Sequence, residues 1–352
     1  MIKKKNIIFI SVLTALVLPL IVSCSSKEKL YIYNWTYYTP ASVIDKFEDE
    51  YNVKVIYDEF ASNEDMYAKL SSSAGKRSSY DIVFPSKDYV PIMIRQNMLE
   101  RIDKSKLFNL GNIDPEVLKI ANYDPNMDFS VPYFYGAAGI IVNTARVPHF
   151  EKSWDIFARE DLKGRMTMLD DMREVMGGAL TILGFSVNSV NPVQITAARD
   201  HVNYSWKPNL VKFDAESFGK GYANGEFWVV HGYPETIYEE IADNHDLLRD
   251  TLFFIPKEGG PSYIDNMVIL KGARNIDLAH KFIDFIHRPE IYAEFTDIFG
   301  LPATVNIPAR NYKRGYSSYS AEDLQKTEMV EDLGPALDYY NEAWFNSIRA
   351  GH

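Results

Sequence analysis

Hydrophobic positions along residues 30–90 alternate between strand and helix spacing. Leu30-Tyr31-Ile32-Tyr33-Asn34 is a short apolar run that predicts a strand. Pro40 stands where a helix begins, with Thr39 as its expected N-cap, and Val43, Ile44, Phe47 and Tyr51 share one helical face. Asn52 closes that helix, and Val53 to Phe60 alternates as a second strand. Ser62-Asn63-Glu64-Asp65 has the form of a capping box opening another helix. Tyr80-Asp81-Ile82-Val83-Phe84, bounded by Pro85-Ser86, fits a strand buried on both faces.

The same pattern recurs further on. Strands are expected at Ala137 to Asn143, Met166 to Leu169, Phe227 to His231, Leu252 to Pro256 and Met267 to Leu270. Helices are expected from Asp171, around Glu235 to Ala242, and from Ile276 to His287 with Leu278, Phe282, Phe285 and Ile286 on one face. Gly219-Lys220-Gly221 reads as a turn. Strands alternating with helices predict an α/β fold with mainly parallel sheets and helices on both faces. No internal repeat and no low-complexity linker separates the two halves. Two lobes joined by strands, with a cleft between them, are expected. In open α/β sheets ligands bind beyond the carboxyl ends of strands.

The N-terminus follows a different pattern. Lys3, Lys4 and Lys5 precede an apolar run from Ile7 to Val22 that is too short for a membrane span and contains Pro19. That is the form of a secretory signal over residues 1–23. Ile21-Val22-Ser23-Cys24 resembles a lipobox, in which the cysteine becomes the lipidated first residue. Cys24 is the one cysteine of the chain, so no intrachain disulfide and no multi-cysteine metal site is expected. Residues 24–29 form the tether, with a reach of roughly 17 Å at about 3.4 Å per residue. A lipid at Cys24 would hold the folded body near a bilayer.

The net charge of −11 becomes about −14 once the three lysines of the expected signal are removed. Nucleic-acid binding, which needs a basic footprint, is thereby disfavoured. A cationic ligand is compatible with this charge but not demanded by it. No nucleophile elbow, zinc-protease motif, phosphate-binding loop or dinucleotide fingerprint is present, so an enzyme is not expected. No metal or cofactor is expected either.

A more specific reading comes from Tyr31-Ile32-Tyr33-Asn34-Trp35-Thr36-Tyr37-Tyr38. It is followed in order by Ser62-Asn63-Glu64, Tyr80-Asp81-Ile82-Val83, Val131-Pro132-Tyr133, Asp170-Asp171-Met172-Arg173-Glu174 and Pro256-Lys257-Glu258-Gly259-Gly260 with Asp265. Spread over nearly the whole chain after the signal, these segments resemble the bacterial spermidine/putrescine-binding proteins. The resemblance implies a two-lobed periplasmic-binding-protein fold of type II that closes on its ligand. It sets the lobes as 30–136 plus 266–306 and 137–265 plus 307–352. It also implies capture of a polyamine and delivery to the permease of an ABC importer. The protein would be a monomer in the cell envelope, lipid-anchored on the periplasmic side of the inner membrane or exposed at the surface.

Carried over residue by residue, the resemblance makes Asp171, Glu174 and Asp265 partners of ammonium groups. Trp35, Tyr38 and Tyr263 become aromatic walls, and Thr36 and Ser86 polar contacts. A polyamine is charged at pH 7, since its amines titrate near lysine's value of about 10.4. It needs carboxylates at its nitrogens and apolar or aromatic walls along its methylenes. Asp171-x-x-Glu174 also reads as a helix N-cap with no ligand role. The chain departs from the family pattern at several positions. Tyr37 stands where a glutamate is usual, Asp88 near an aromatic position, His231 at a tryptophan position and Leu301 at a tyrosine position, while the region of Val330 lacks a glutamine. His231, facing a cation, would stay neutral and weaken binding at low pH. Two alternatives stay open: a binding protein of the same fold for another organic cation, and a surface lipoprotein with a role in adhesion or host interaction.

Overall fold

The computed structural model describes residues 27–36, 38–60, 62–72 and 77–350. The expected signal, Cys24 with the start of its tether, and Tyr37 lie outside the described residues. Strand β1 (Lys29–Trp35) leads into α1 (Ala41–Tyr51), β2 (Lys54–Phe60), α2 (Asn63–Ser71), β3 (Ile82–Val83), α3 (Tyr89–Arg95), α4 (Pro115–Ile120) and β4 (Ser130–Gly136). β1 pairs in parallel with β2 and β3, as strand–helix–strand units require. Helix α1 buries Val43 and Phe47, and Asn52 ends it in the left-handed region at φ 51°. Its start differs from expectation. Pro40 takes the N-cap position with no side-chain cap, because the Thr39 hydroxyl is engaged by Asn34 and Tyr133. Ser62 does cap α2, accepting the amide of Asp65.

Only Ala137 and Ala138, both buried, separate β4 from β5 (Gly139–Asn143), and with them the chain changes sheet. The second lobe continues with β6 (Met166–Met168), α5 (Met172–Ile182), α6 (Pro192–His201), β7 (Leu210–Phe213), α7 (Phe218–Ala223), β8 (Val229–Gly232), α8 (Pro234–Glu240), α9 (His245–Asp250) and β9 (Thr251–Phe254). β10 (Pro261–Ile269) returns to the first sheet. It is followed by α10 (Ile276–Ile286), α11 (Pro289–Ile298), α12 (Ala321–Leu324), β11 (Glu328–Met329) and α13 (Leu337–Ala343).

The first sheet has the order β11-β10-β3-β1-β2 with β4 also on β10, and the second β7-β6-β8-β5-β9. Both are mixed rather than mainly parallel. β10 runs antiparallel to β3 and β4, and β5 antiparallel to β8 and β9. The reason is the route of the chain. A parallel neighbour needs a long crossover, usually a helix, whereas β5 and β10 enter their sheets directly from the other lobe.

One apolar cluster centres on the first lobe and runs on into the second through Ile141, Phe218, Phe227 and Phe253, and another lies within the second lobe. Leu30, Ile32, Phe47, Phe282 and Phe285 pack in the first, and Trp154, Phe157, Met166, Met168 and Trp206 in the second. The expected apolar face of α10 is buried in full. Gly219-Lys220-Gly221 lies within α7 rather than in a turn. A Cβ at residue 221 would sit 2.3 Å from the Phe227 ring and one at 219 2.9 Å from Thr236, so the glycines let the helix approach its neighbours. Two sheet and loop contacts bear on the lobe boundaries. β10 pairs with β4 from Tyr263 onward, and residues 310–318 stay bonded to the first lobe through Arg310–Asp114, Lys313–Asp297 and the Ser318 amide on Gly300. None of the described helices is long and apolar enough to cross a membrane.

Candidate functional site: an acidic interlobe cleft

The strand ends where the chain passes between the lobes carry a concentration of carboxylates. Asp265 lies on β10, where the register with β4 shifts between residues 265 and 266. Such an irregularity re-aims the side chain. The Asp265 carboxylate accepts the hydroxyls of Tyr38 and Ser86, each at 2.5 Å, and Ser86 also forms a β-bridge with Asp265. Three expected residues from distant parts of the chain therefore meet at one group. Burial pushes the Asp265 carboxyl up to about 7 against the pull of its two donors, and nearby Asp88 adds to the rise.

Asp171 and Glu174 form the second concentration, on the first turn of α5. Asp171 accepts the amides of Arg173 at 2.8 Å and Glu174 at 3.0 Å, so it is a true N-cap. Asp171 is exposed, and desolvation followed by Glu174 raises its carboxyl to about 6. The capping reading of Asp171-x-x-Glu174 therefore holds at Asp171. Glu174 is 5% exposed, and its Oε2 has no hydrogen-bond partner. Desolvation takes it to about 8, opposed by Arg173. His231, on β8, sits 3.8 Å from that oxygen. It is fully buried and edge-on to Trp154, and burial drives it down to about 3. Burial therefore favours the neutral form of His231.

Asp88 precedes α3, half-buried and without a capping bond, and desolvation lifts it to about 6. It is an electrostatic neighbour of Asp171 on one side and of Asp265 on the other. The Trp35 indole donates to Phe84 O at 2.8 Å and packs on Phe60, which places it beside the 84–86 segment at the edge of the cluster. Tyr263 meets the ring of Tyr233 edge-on at 5.8 Å. Thr36 is exposed, and its amide is bonded to Phe60 O, outside the cluster. Leu301 is fully buried in the first lobe's core. The Val330 amide donates to Ser262 O, which fixes β11 along the start of β10.

Three groups escaped the sequence reading: Tyr233, Glu235 and Tyr319. Glu235, in the first turn of α8, is 5% exposed, has an unpartnered Oε2 and is pushed up to about 8 by burial. In the sequence, Tyr233-Pro234-Glu235 reads only as a helix start with the usual early acid. Nothing local signals that this acid is buried.

Five carboxylates, from Asp88, Asp171, Glu174, Glu235 and Asp265, thus influence one another, with exposed Glu64 at their rim. Arg173 acts on Asp88 and Glu174, and it is held by Glu331 O, Asn188 and the face of Tyr340. Among the described residues no three His, Cys, Asp or Glu side chains are placed to hold a metal ion. The acids are strung out rather than gathered on a point.

Comparison with known proteins agrees with this architecture. The model of the family described as bacterial extracellular solute-binding protein matches residues 42–313. The chain belongs to that family. Within it, the spermidine/putrescine-binding periplasmic protein of Salmonella typhimurium is 35% identical over 336 residues, 93% of each chain. The lipoprotein TpPotD of Treponema pallidum is 48% identical, with a TM-score of 0.86 over 92% of this chain and 99% of that one. The spermidine/putrescine ABC transporter substrate-binding protein PotD of Streptococcus pneumoniae is 28% identical, with a TM-score of 0.74 over 90% and 98%. This solute-binding protein therefore shares its two-lobed α/β fold with those structures.

Proposed function

We propose that this solute-binding protein captures a polyamine of the spermidine/putrescine class in the acidic, aromatic interlobe cleft and hands it to an ABC importer. The observation that carries the reading is the uncompensated acid: Glu174 and Glu235 are both buried with an unpartnered carboxyl oxygen. Burying carboxylates without partners is costly. A flexible polycation removes that cost by placing ammonium groups along the row while its methylenes lie on Tyr38, Tyr233, Tyr263 and Trp35. The names of the relatives point to the same ligand class.

In this reading Asp88, Asp171, Glu174 and Asp265 pair with ammonium groups, and Ser86 and Tyr38 hold Asp265 in place. Closure moves one body of residues 30–136 with 263–318 against another of 137–262 with 319–350. These boundaries shift the expected ones to where the sheet pairing and the bonds of the 310–318 segment change. The protein works as a monomer without a chemical step, anchored through lipid on Cys24 at the periplasmic side of the membrane, within reach of the permease. The TpPotD relative is likewise described as a lipoprotein.

The test is binding by the ligand-free domain from residue 27 onward, followed by tryptophan fluorescence with putrescine, spermidine and spermine, and with acidic and neutral solutes as controls. Micromolar or tighter amine binding, roughly −8 kcal/mol or better, is expected, with no response to the controls. Millimolar or absent amine binding by folded protein overturns the proposal and returns the alternative of another organic cation.

A further inference from the structure

Glu235, in the first turn of α8, is buried beside Tyr263 and Tyr319, near the point where the chain crosses between lobes. The hydroxyls of Tyr319 and Tyr263 converge there: a Cβ on Gly136 would lie 2.9 Å from the first and 3.0 Å from the second. Gly136 is the last residue of β4, next to the Ala137–Ala138 crossover. Glu235 acts electrostatically on Tyr38, Tyr233, Tyr263 and Tyr319, and it is a neighbour of Asp265. Its Oε2 is buried, with no partner from the protein.

We propose that Glu235 is a ligand-binding carboxylate which, with Asp265, forms a third cation position at the hinge end of the cleft and selects triamines over diamines. This inference rests on the proposed polyamine function and adds to it a specificity residue. The row then reads as two acid pairs, Asp171 with Glu174 and Asp265 with Glu235, and the single acid Asp88 neighbouring both. Two pairs and an intermediate acid match an amine with a charge at each end and one between. A diamine satisfies only two of the three positions and leaves a carboxyl buried and unpaired. The surrounding tyrosines fit the same role, since their rings can face methylenes and cations while their hydroxyls remain polar.

The experiment is calorimetric titration of the wild type and E235Q with putrescine and spermidine at pH 7, in two buffers of different ionisation enthalpy. The wild type is expected to favour spermidine. E235Q is expected to lose about 10- to 100-fold in spermidine affinity, the range for removing one charge-assisted contact, and much less for putrescine. Glu235 sits at about 8, so it is mostly protonated before the amine arrives. The wild type should therefore release close to one more proton per spermidine than E235Q. A purely structural role for Glu235 would not change that proton count. E235D, which keeps the charge but withdraws it, should fall between the two and serves if E235Q does not fold. Unchanged spermidine affinity and proton count in E235Q overturn the assignment while leaving the polyamine function standing. Equal losses for both amines overturn the selectivity. A wild type that binds neither amine overturns the functional reading as well.

Discussion

Replacing Glu174 by glutamine separates what this residue does for binding from what it costs the fold. Its carboxyl is buried, Oε2 lacks a hydrogen bond, and the nearest ring nitrogen, on neutral His231, is 3.8 Å away. Burial moves it from 4.5 to about 8. Between those values the ligand-free folded protein keeps a proton that the unfolded chain has released, so stability falls as pH rises through the window. Below about pH 4.5 both states are protonated and the group contributes no penalty. Above about pH 8 the penalty is complete. At about 1.4 kcal/mol per tenfold its full size is on the order of 5 kcal/mol, and about 2 kcal/mol is expected once the cleft opens and water relaxes around the charge. E174Q and the wild type should therefore melt together near pH 5, while at pH 9 E174Q melts higher by on the order of 5 °C. Affinity should move the other way. Losing a charged partner for an ammonium costs about 1.5–3 kcal/mol, or about 10- to 100-fold in Kd. Thermal melts of both proteins from pH 5 to pH 9, with amine titrations at pH 7, measure both effects. A variant destabilised equally at both ends of the range, with amine affinity unchanged, would refute the reasoning.

Three further outcomes follow from the same structure. Polyamine affinity should rise from pH 5 to pH 8, because carboxyls held at about 6 to 8 lose their protons there while the amines keep theirs; fluorescence titrations at three pH values check this, and a flat profile counts against it. Asp81 accepts the amides of Tyr31, Arg274 and Asn275 at 2.9, 2.6 and 3.0 Å in a fully buried position. Its replacement by alanine should cost about 2–4 kcal/mol in urea unfolding by orphaning those donors, and a loss below 1 kcal/mol on the order-of-magnitude scale of a single solvated bond would contradict the account. Gly259 has φ +88°, and a Cβ there would stand 2.0 Å from Lys326 O, so Gly259→Ala should lower stability by about 2 kcal/mol or more. A variant melting at the wild-type temperature would show that the 256–260 turn yields easily.

The local pattern of the chain determined much of this protein. Periodicity and punctuation placed β1, α1, β2, β5, β6, β8, β9 and α10, because each is decided by which residues must face an apolar neighbour every second or every third to fourth position, whereas β4, β7 and the first six residues of β10 were not read as strands. Turn chemistry was legible where one residue settles it, as at Asn52 and Ser62. Local pattern failed where a distant partner changed the outcome. Thr39 was drawn from its cap by Asn34 and Tyr133, and the glycines of α7 serve close packing on Phe227 and Thr236 rather than a turn. Strand direction was likewise not local: β5 and β10 are antiparallel to their neighbours because of the route between lobes.

The site divides the same way. Asp171, Glu174 and Asp265 were singled out through a resemblance, and the N-cap role of Asp171 could be read from its spacing to Glu174. What only the tertiary structure decided is the electrostatic state of these acids. Tyr38, Ser86 and Asp265 are brought together from positions up to 227 residues apart. Glu235 looks in sequence like any acid in a helix's first turn, and only the fold removes it from water. Ionisation cost depends on what surrounds a group in space, so a row of strained carboxylates is a property of the assembled cleft and not of any segment that contributes to it.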